Sequence, residues 1–391
     1  MRLNPHIKKM QQKYLFSLIE SKERKMRAKN PHALIANLGI GDVILPLAPT
    51  IARSIQNAIQ EMTIAGQMKG YGPSEGYLFL REAIAQQSYK GLSIASDEIF
   101  ISEGANCDMT SLPELFSNRC KIGIIDPTYP AYLSSITLSG KKSKVTLIPC
   151  LEENHFVPFP PKEHLDIVYL CSPNNPTGIA MSRENLRKWV EYAHREKAIL
   201  LLDNAYEAFI TSPDVPRSIY EIDGAKEVAI ESRSFSKSAG FTGLRCAYLV
   251  IPRAILKNKL RDMWEKRQSI KSNGVSYPIQ RGAEAALSAE GIFETQQQIV
   301  YYLHQAKLLR QELLKLGFSC FGGQDSPYIW WKTPKGEGSW EFFQKILEKN
   351  HLISTPGSGF GIYGEGYVRL SAFTTQDQTE LALAQIKSIS K

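Results

Sequence analysis

Seven short aliphatic or β-branched runs recur between positions 48 and 285, with amphipathic stretches between several of them, and this alternation constrains the fold more than any other feature of the chain. The runs cover residues 99–101, 121–126, 144–149, 165–171, 199–203, 228–232 and 246–251, while residues 182–197 show the apolar spacing of a helix with one dry face. Strands that alternate with helices are joined by crossovers, which favours a mostly parallel sheet with helices on both faces. The expected fold class is α/β, built on a seven-stranded sheet.

Outside that stretch the pattern changes. Residues 14–29 read as a basic helix, 294–316 as a long helix, and 327–331, 339–350 and 367–373 as strand, helix and strand. A chain of 391 residues exceeds one ordinary core, so two domains are expected, and 43% hydrophobic residues suffice to fill them. No internal repeat is visible.

No apolar stretch reaches membrane-spanning length, and residues 1–30 lack the apolar core and cleavage site of a secretory signal, so a cytoplasmic protein with no membrane partner is expected. Cys107, Cys120, Cys150, Cys171, Cys246 and Cys320 form no Cys-x-x-Cys pair and have no histidine cluster beside them, which argues against a zinc site or a disulfide framework. They read as reduced thiols. The net charge of +8 is spread along the chain with no DNA-binding module, so it favours acidic small molecules over nucleic acid.

The chemistry begins at Lys237, in Ser234-Phe235-Ser236-Lys237-Ser238-Ala239-Gly240-Phe241-Thr242-Gly243-Leu244-Arg245. A lysine amine that is partly buried, or beside other cations, loses its proton easily enough to attack a carbonyl. Lys237 is thus a candidate Schiff-base residue. Ser234, Ser236 and Arg245 can satisfy a phosphate, and glycines nearby let the backbone approach it.

Two further motifs sit at strand ends, where open α/β sheets place ligands. Ser172-Pro173-Asn174-Asn175-Pro176-Thr177-Gly178 follows the run 165–171, and Asn175 carries an amide able to donate to a phenolate oxygen. Leu200-Leu201-Leu202-Asp203-Asn204-Ala205-Tyr206 ends in a carboxylate suited to a pyridinium nitrogen and, three residues on, a phenol. Gly104-Ala105-Asn106 opens a predicted helix whose first amides can face a phosphate.

In this order and combination the motifs resemble the class I/II aminotransferases, fold-type I enzymes dependent on pyridoxal 5′-phosphate. The resemblance spans nearly the whole chain. It implies a large cofactor-binding domain at 48–285 and a smaller discontinuous α+β domain made of 1–47 and 286–391. It also implies that Lys237, Asp203 and Tyr206 are catalytic, and that Ala105, Asn106, Tyr129, Asn175, Ser234, Ser236 and Arg245 help hold the cofactor. Tyr129, in Asp126-Pro127-Thr128-Tyr129-Pro130, matches the aromatic that stacks on the cofactor ring. Tyr71, in Lys69-Gly70-Tyr71-Gly72-Pro73-Ser74-Glu75-Gly76, matches a tyrosine that reaches the phosphate of the neighbouring subunit, which implies a homodimer with shared sites. Arg369, in Tyr367-Val368-Arg369-Leu370-Ser371, matches the arginine that grips a substrate α-carboxylate through its planar fork.

Several stretches resemble one branch of that family, the LL-diaminopimelate aminotransferases: Asn37-Leu38-Gly39-Ile40-Gly41-Asp42 with Leu45-Pro46-Leu47, the Lys69 loop, the Lys237 segment, and Ser272-Asn273-Gly274-Val275-Ser276. The branch implies that Tyr14, Gly41, Tyr129, Asn175, Asn273 and Arg369 contact substrate, with Tyr14 and Asn273 coming from the partner chain. The implied reaction couples L-tetrahydrodipicolinate and L-glutamate with LL-2,6-diaminopimelate and 2-oxoglutarate by a ping-pong mechanism. Two positions depart from the branch. Asn106 replaces an expected lysine, and Pro73-Ser74-Glu75 replaces Ala-Glu-Gln, so a broader aromatic or alanine-type aminotransferase, or a Cys-S β-lyase, is the alternative.

Overall fold

The computed structural model describes residue 5 and residues 15–141 and 144–389. Thirteen strands occur among these residues. They are β1 (Ala36–Asn37), β2 (Ile99–Ser102), β3 (Ile122–Asp126), β4 (Val145–Pro149), β5 (Ile167–Cys171), β6 (Ile199–Asp203) and β7 (Ala229–Ser234). The chain continues with β8 (Ala247–Val250), β9 (Cys320–Gly322), β10 (Tyr328–Lys332), β11 (Leu352–Ile353), β12 (Thr355–Pro356) and β13 (Tyr367–Ser371).

The seven expected runs form one sheet, in the order β2-β8-β7-β6-β5-β3-β4. Its central pairs are parallel, and β8 alone runs against both of its neighbours. Both faces are covered. Ile167, Tyr169, Ile199 and Leu201 enter one apolar layer, while Val168, Leu170, Leu200 and Leu202 enter the other. Such strands must be apolar at every position, which is why they read as unbroken runs rather than alternating ones.

Local signals set the helix limits. The helix Arg183–Glu196 starts at a reciprocal cap, in which Ser182 accepts from the Asn185 N–H, and stops at Lys197 in the left-handed conformation. The long helix Ala289–Lys315 begins before the expected residue 294, because Ser288 accepts from the Gly291 N–H at 3.0 Å and caps the chain there. The helix Ala105–Ser111 tightens into a 3-10 turn, Leu112–Leu115, at Pro113.

A second, antiparallel sheet has the order β12-β13-β10-β9, and the short strand β1 pairs in parallel with β11. Residues far apart in sequence thus share one apolar layer: Ala36 and Leu38 pack with Leu309, Trp331, Ile346 and Val368. The Ser371 N–H donates to the Leu38 carbonyl at 2.8 Å, so the chain just after β1 lies beside β13. Among the described residues no helix is long and apolar enough to cross a membrane.

Candidate active site

The carboxyl ends of β5, β6 and β7 open onto one cleft of about 350 Å³. Asp203 closes β6, Cys171 closes β5 ahead of the Asn175 turn, and Ser234 closes β7 and caps the short helix Phe235–Ser238 that carries Lys237. Of the residues expected at a site, Gly41, Ala105, Asn106, Tyr129, Asn175, Asp203, Tyr206, Ser234, Ser236, Lys237, Arg245 and Arg369 all line this cleft. Tyr71 and Asn273 do not line it, and Tyr14 lies outside the described residues. Phe16, two positions beyond Tyr14, lines the cleft of its own chain.

At one end stand hydroxyls and a guanidinium. Ser234 Oγ accepts from the Ser236 N–H at 3.1 Å, and Ser236 Oγ lies 3.4 Å from Arg245 Nη1; each oxygen still carries a proton to donate. Arg245 holds φ at 61°, and a Cβ at Gly104 would meet its Nη2 at 2.2 Å. Only glycine lets the turn before Ala105 come this close to the cation.

At the floor, Asp203 is buried. Its Oδ1 accepts from the Ala205 N–H at 3.1 Å and its Oδ2 from the Tyr132 hydroxyl. Burial pushes its carboxyl up, and these two bonds oppose the shift by favouring the ionised form. Tyr206, also buried, keeps its phenol proton because desolvation raises its hydroxyl well above the ordinary range, and it shares a 2.8 Å bond with the Tyr328 hydroxyl.

Lys237 projects between these ends. Burial pushes its amine down to about 8, the Asp42 carboxylate 3.9 Å away opposes the shift, and Arg369 and Arg245 reinforce it. The amine donates to the Gly41 carbonyl. A neutral fraction that grows through mildly basic pH suits this amine to act as a nucleophile and a proton carrier.

Arg369 is buried beside them on β13. Its Nη1 donates to Asn175 Oδ1 at 2.7 Å and its Nη2 to the Gly39 carbonyl at 2.9 Å. The guanidinium lies 4.4 Å from the Tyr328 ring centre and 4.9 Å from that of Phe360. An arginine stripped of water inside an aromatic box presents its fork to an incoming carboxylate with little reorganisation.

Sequence reasoning did not single out Phe16, Ile40, Asp42, Tyr132, Cys171 or Tyr328 as site residues, yet all line the cleft. Tyr132 had a local signal, three positions after Tyr129 at a helix start; Tyr328 had none, since Tyr-Ile-Trp-Trp reads as core strand.

Tyr71 is 89% exposed. Its loop meets the Asn273 loop, since a Cβ at Gly274 would lie 3.4 Å from the Pro73 carbonyl oxygen. Nearby, Glu75 lies 3.6 Å from Arg81, and the Ser74 hydroxyl donates to Glu75 Oε2 at 3.2 Å.

The sequence profile of the family described as aminotransferase class I and II matches residues 35–386. Two curated relatives are LL-diaminopimelate aminotransferases. The protein from Methanosphaera stadtmanae is 44% identical over 406 residues, with 99% of both chains covered. That from Desulforapulum autotrophicum is 45% identical over 403 residues, covering 99% of this chain and 98% of its own. Among solved structures, L,L-diaminopimelate aminotransferase from Chlamydomonas reinhardtii superposes with a TM-score of 0.95 at 38% identity, covering 100% of this chain and 99% of that one.

Proposed function

The chain belongs to the aminotransferase class I and II family, and from that premise we propose that its cleft holds pyridoxal 5′-phosphate and transfers an amino group between LL-2,6-diaminopimelate and 2-oxoglutarate. The observation that carries the reading is the convergence of a phosphate-type donor set, a buried carboxylate and a depressed amine in one cleft, with a buried arginine fork beside them. The donor set fits the cofactor. Ser234, Ser236, Arg245 and the amides at Ala105 and Asn106 would hold its phosphate, Asp203 its ring nitrogen, and Tyr206 and Asn175 its phenolic oxygen, with Tyr129 against the ring. Bound there, the cofactor supplies an aldehyde that captures amines and a cationic ring that accepts the electrons of a Cα–H bond.

The protein's own groups do the rest. Arg369 grips the substrate α-carboxylate and so fixes the Cα–H bond relative to Lys237. Lys237 Nζ, neutral once deprotonated, takes that proton and later returns it. Tyr206 would donate its one phenol proton into the cleft while accepting from the Tyr328 hydroxyl, a direction that their 2.8 Å bond allows. The two substrates use the same fork in turn, so ping-pong kinetics are expected, with L-tetrahydrodipicolinate and L-glutamate as the substrates in the opposite direction.

The same reading makes residues 48–285 the cofactor-binding body, and 1–47 with 286–391 a smaller discontinuous one. The pairing of β1 with β11 supports it. It also makes the active form a cytoplasmic homodimer, supported by Tyr71 and the Asn273 loop standing together on an exposed face away from their own cleft. The Glu75 carboxylate is engaged by Ser74 and lies near Arg81, which supports a donor range wider than diaminopimelate alone.

The test is an assay of 2-oxoglutarate-dependent turnover with LL-diaminopimelate against aromatic and alanine donors. Diaminopimelate should give the highest kcat/KM. Turnover with an aromatic donor and none with diaminopimelate would remove the substrate assignment, and release of pyruvate from a single amino acid without an oxo acid would indicate a lyase.

A further inference from the structure

We propose that Tyr132 is a positioning residue for the cofactor ring, keeping the Asp203 carboxylate ionised and aimed while its own ring braces Tyr129. The inference rests on the reading of the cleft as a pyridoxal-phosphate site.

Tyr132 lies on the helix Ala131–Leu138, which follows β3, whereas Asp203 ends β6. The bond between them therefore joins two separate crossovers of the sheet. Tyr132 is 1% exposed, and its hydroxyl donates to Asp203 Oδ2. On the other side Asp203 Oδ1 is held by the Ala205 N–H, so each oxygen has one fixed donor.

The tyrosine is itself rigidly placed. Its ring packs on Tyr169 with centroids 5.3 Å apart and meets Tyr129 edge-on at 5.8 Å. The residue expected to stack on the cofactor ring and the one expected to face its nitrogen are thus set by a single side chain.

Electrostatics give this geometry a consequence. Burial alone favours a neutral Asp203, and a neutral acid cannot balance a ring cation. The Tyr132 hydroxyl opposes that tendency. It remains a donor itself, because burial and the neighbouring carboxylate push its own ionisation far above neutral pH. Loss of the hydroxyl should weaken what Asp203 does for the ring nitrogen and leave the phosphate end untouched.

The experiment measures dissociation constants of the full-length protein for pyridoxal 5′-phosphate and for its 1-deaza analogue, in which a carbon replaces the ring nitrogen. Tyr132→Phe should weaken the natural cofactor about tenfold and change the deaza analogue by less than about twofold. Equal weakening of both would make Tyr132 a merely structural residue and overturn the proposal, as would unchanged affinity for the natural cofactor. If the Phe variant does not fold, 3-fluorotyrosine at position 132 keeps the shape and sharpens the donor. It must then move the ¹⁵N resonance of ring-labelled cofactor relative to wild type, and an unmoved resonance overturns the proposal. Wild-type protein that fails to bind the cofactor at all would instead remove the underlying reading, and this inference with it.

Discussion

Arg369 Nη1 donates to Asn175 Oδ1 at 2.7 Å, and that bond decides which end of the Asn175 amide can serve as a donor in the cleft. With the oxygen occupied, the amide nitrogen is the end left to face a phenolate. The group proposed to grip the substrate therefore also orients one proposed to hold the cofactor.

Arg369→Lys should accordingly do two things. A point charge cannot reproduce the fork, so KM for the amino donor should rise about a hundredfold. The Asn175 amide also loses its fixed partner, and cofactor affinity should fall as well. Steady-state kinetics and equilibrium dialysis check the two effects separately; a change in KM with cofactor affinity untouched would break the proposed link.

The Lys237 amine, pushed down to about 8 by burial, should capture added pyridoxal phosphate with a rate that rises with pH and is half-maximal near 8. Asp42→Asn removes the carboxylate that opposes the shift, so the midpoint should move lower. The sign for stability follows from proton counts. Above about 8 the folded cofactor-free chain has lost a proton that the unfolded chain keeps, so this group adds stability as pH climbs toward the ordinary lysine range. Lys237→Ala should abolish that slope in pH-dependent melting, and lower turnover by about 10³-fold or more.

Gly41→Ala would place a Cβ 2.3 Å from the Tyr328 hydroxyl, within the pair that Tyr328 makes with Tyr206. Displacing Tyr328 costs about 1–3 kcal/mol, and kcat/KM should drop about tenfold or more while the fold survives. Circular dichroism and kinetics on the same preparation separate the two.

If the site is shared between subunits, Tyr71→Ala and Lys237→Ala chains should each be nearly inactive alone and regain turnover when unfolded together and co-refolded. The mixed dimer then carries one intact site. Failure of the mixture to regain activity, with mixed dimers present by mass, would count against a partner subunit's Tyr71 at the phosphate.

What was legible in the sequence was local. Asp203 ends, and Asn175 follows, a strand buried on both faces, whose composition betrays it, and the hydroxyls around Lys237 lie within one continuous segment. Tyr328 reaches the cleft only through tertiary packing of a distant segment, for which neither periodicity nor motif gives a sign; Asp42 lies in the motif that flagged Gly41, but its place beside Lys237 is likewise set by packing. The short strands β1, β9, β11 and β12 were likewise invisible, being two or three residues held by pairing rather than by propensity.

The pairing of β1 with β11 has a consequence for biosynthesis. Ala36 and Asn37, which pair with Leu352 and Ile353, and Gly39, which accepts a bond from Arg369, are all translated long before those partners. The large sheet can close while the chain is still emerging from the ribosome, whereas the proposed carboxylate grip must wait for β13, made about a hundred residues after β8. A nascent chain can thus hold an organised core before it can bind an amino acid, and stalled or prematurely terminated products should be compact but catalytically silent.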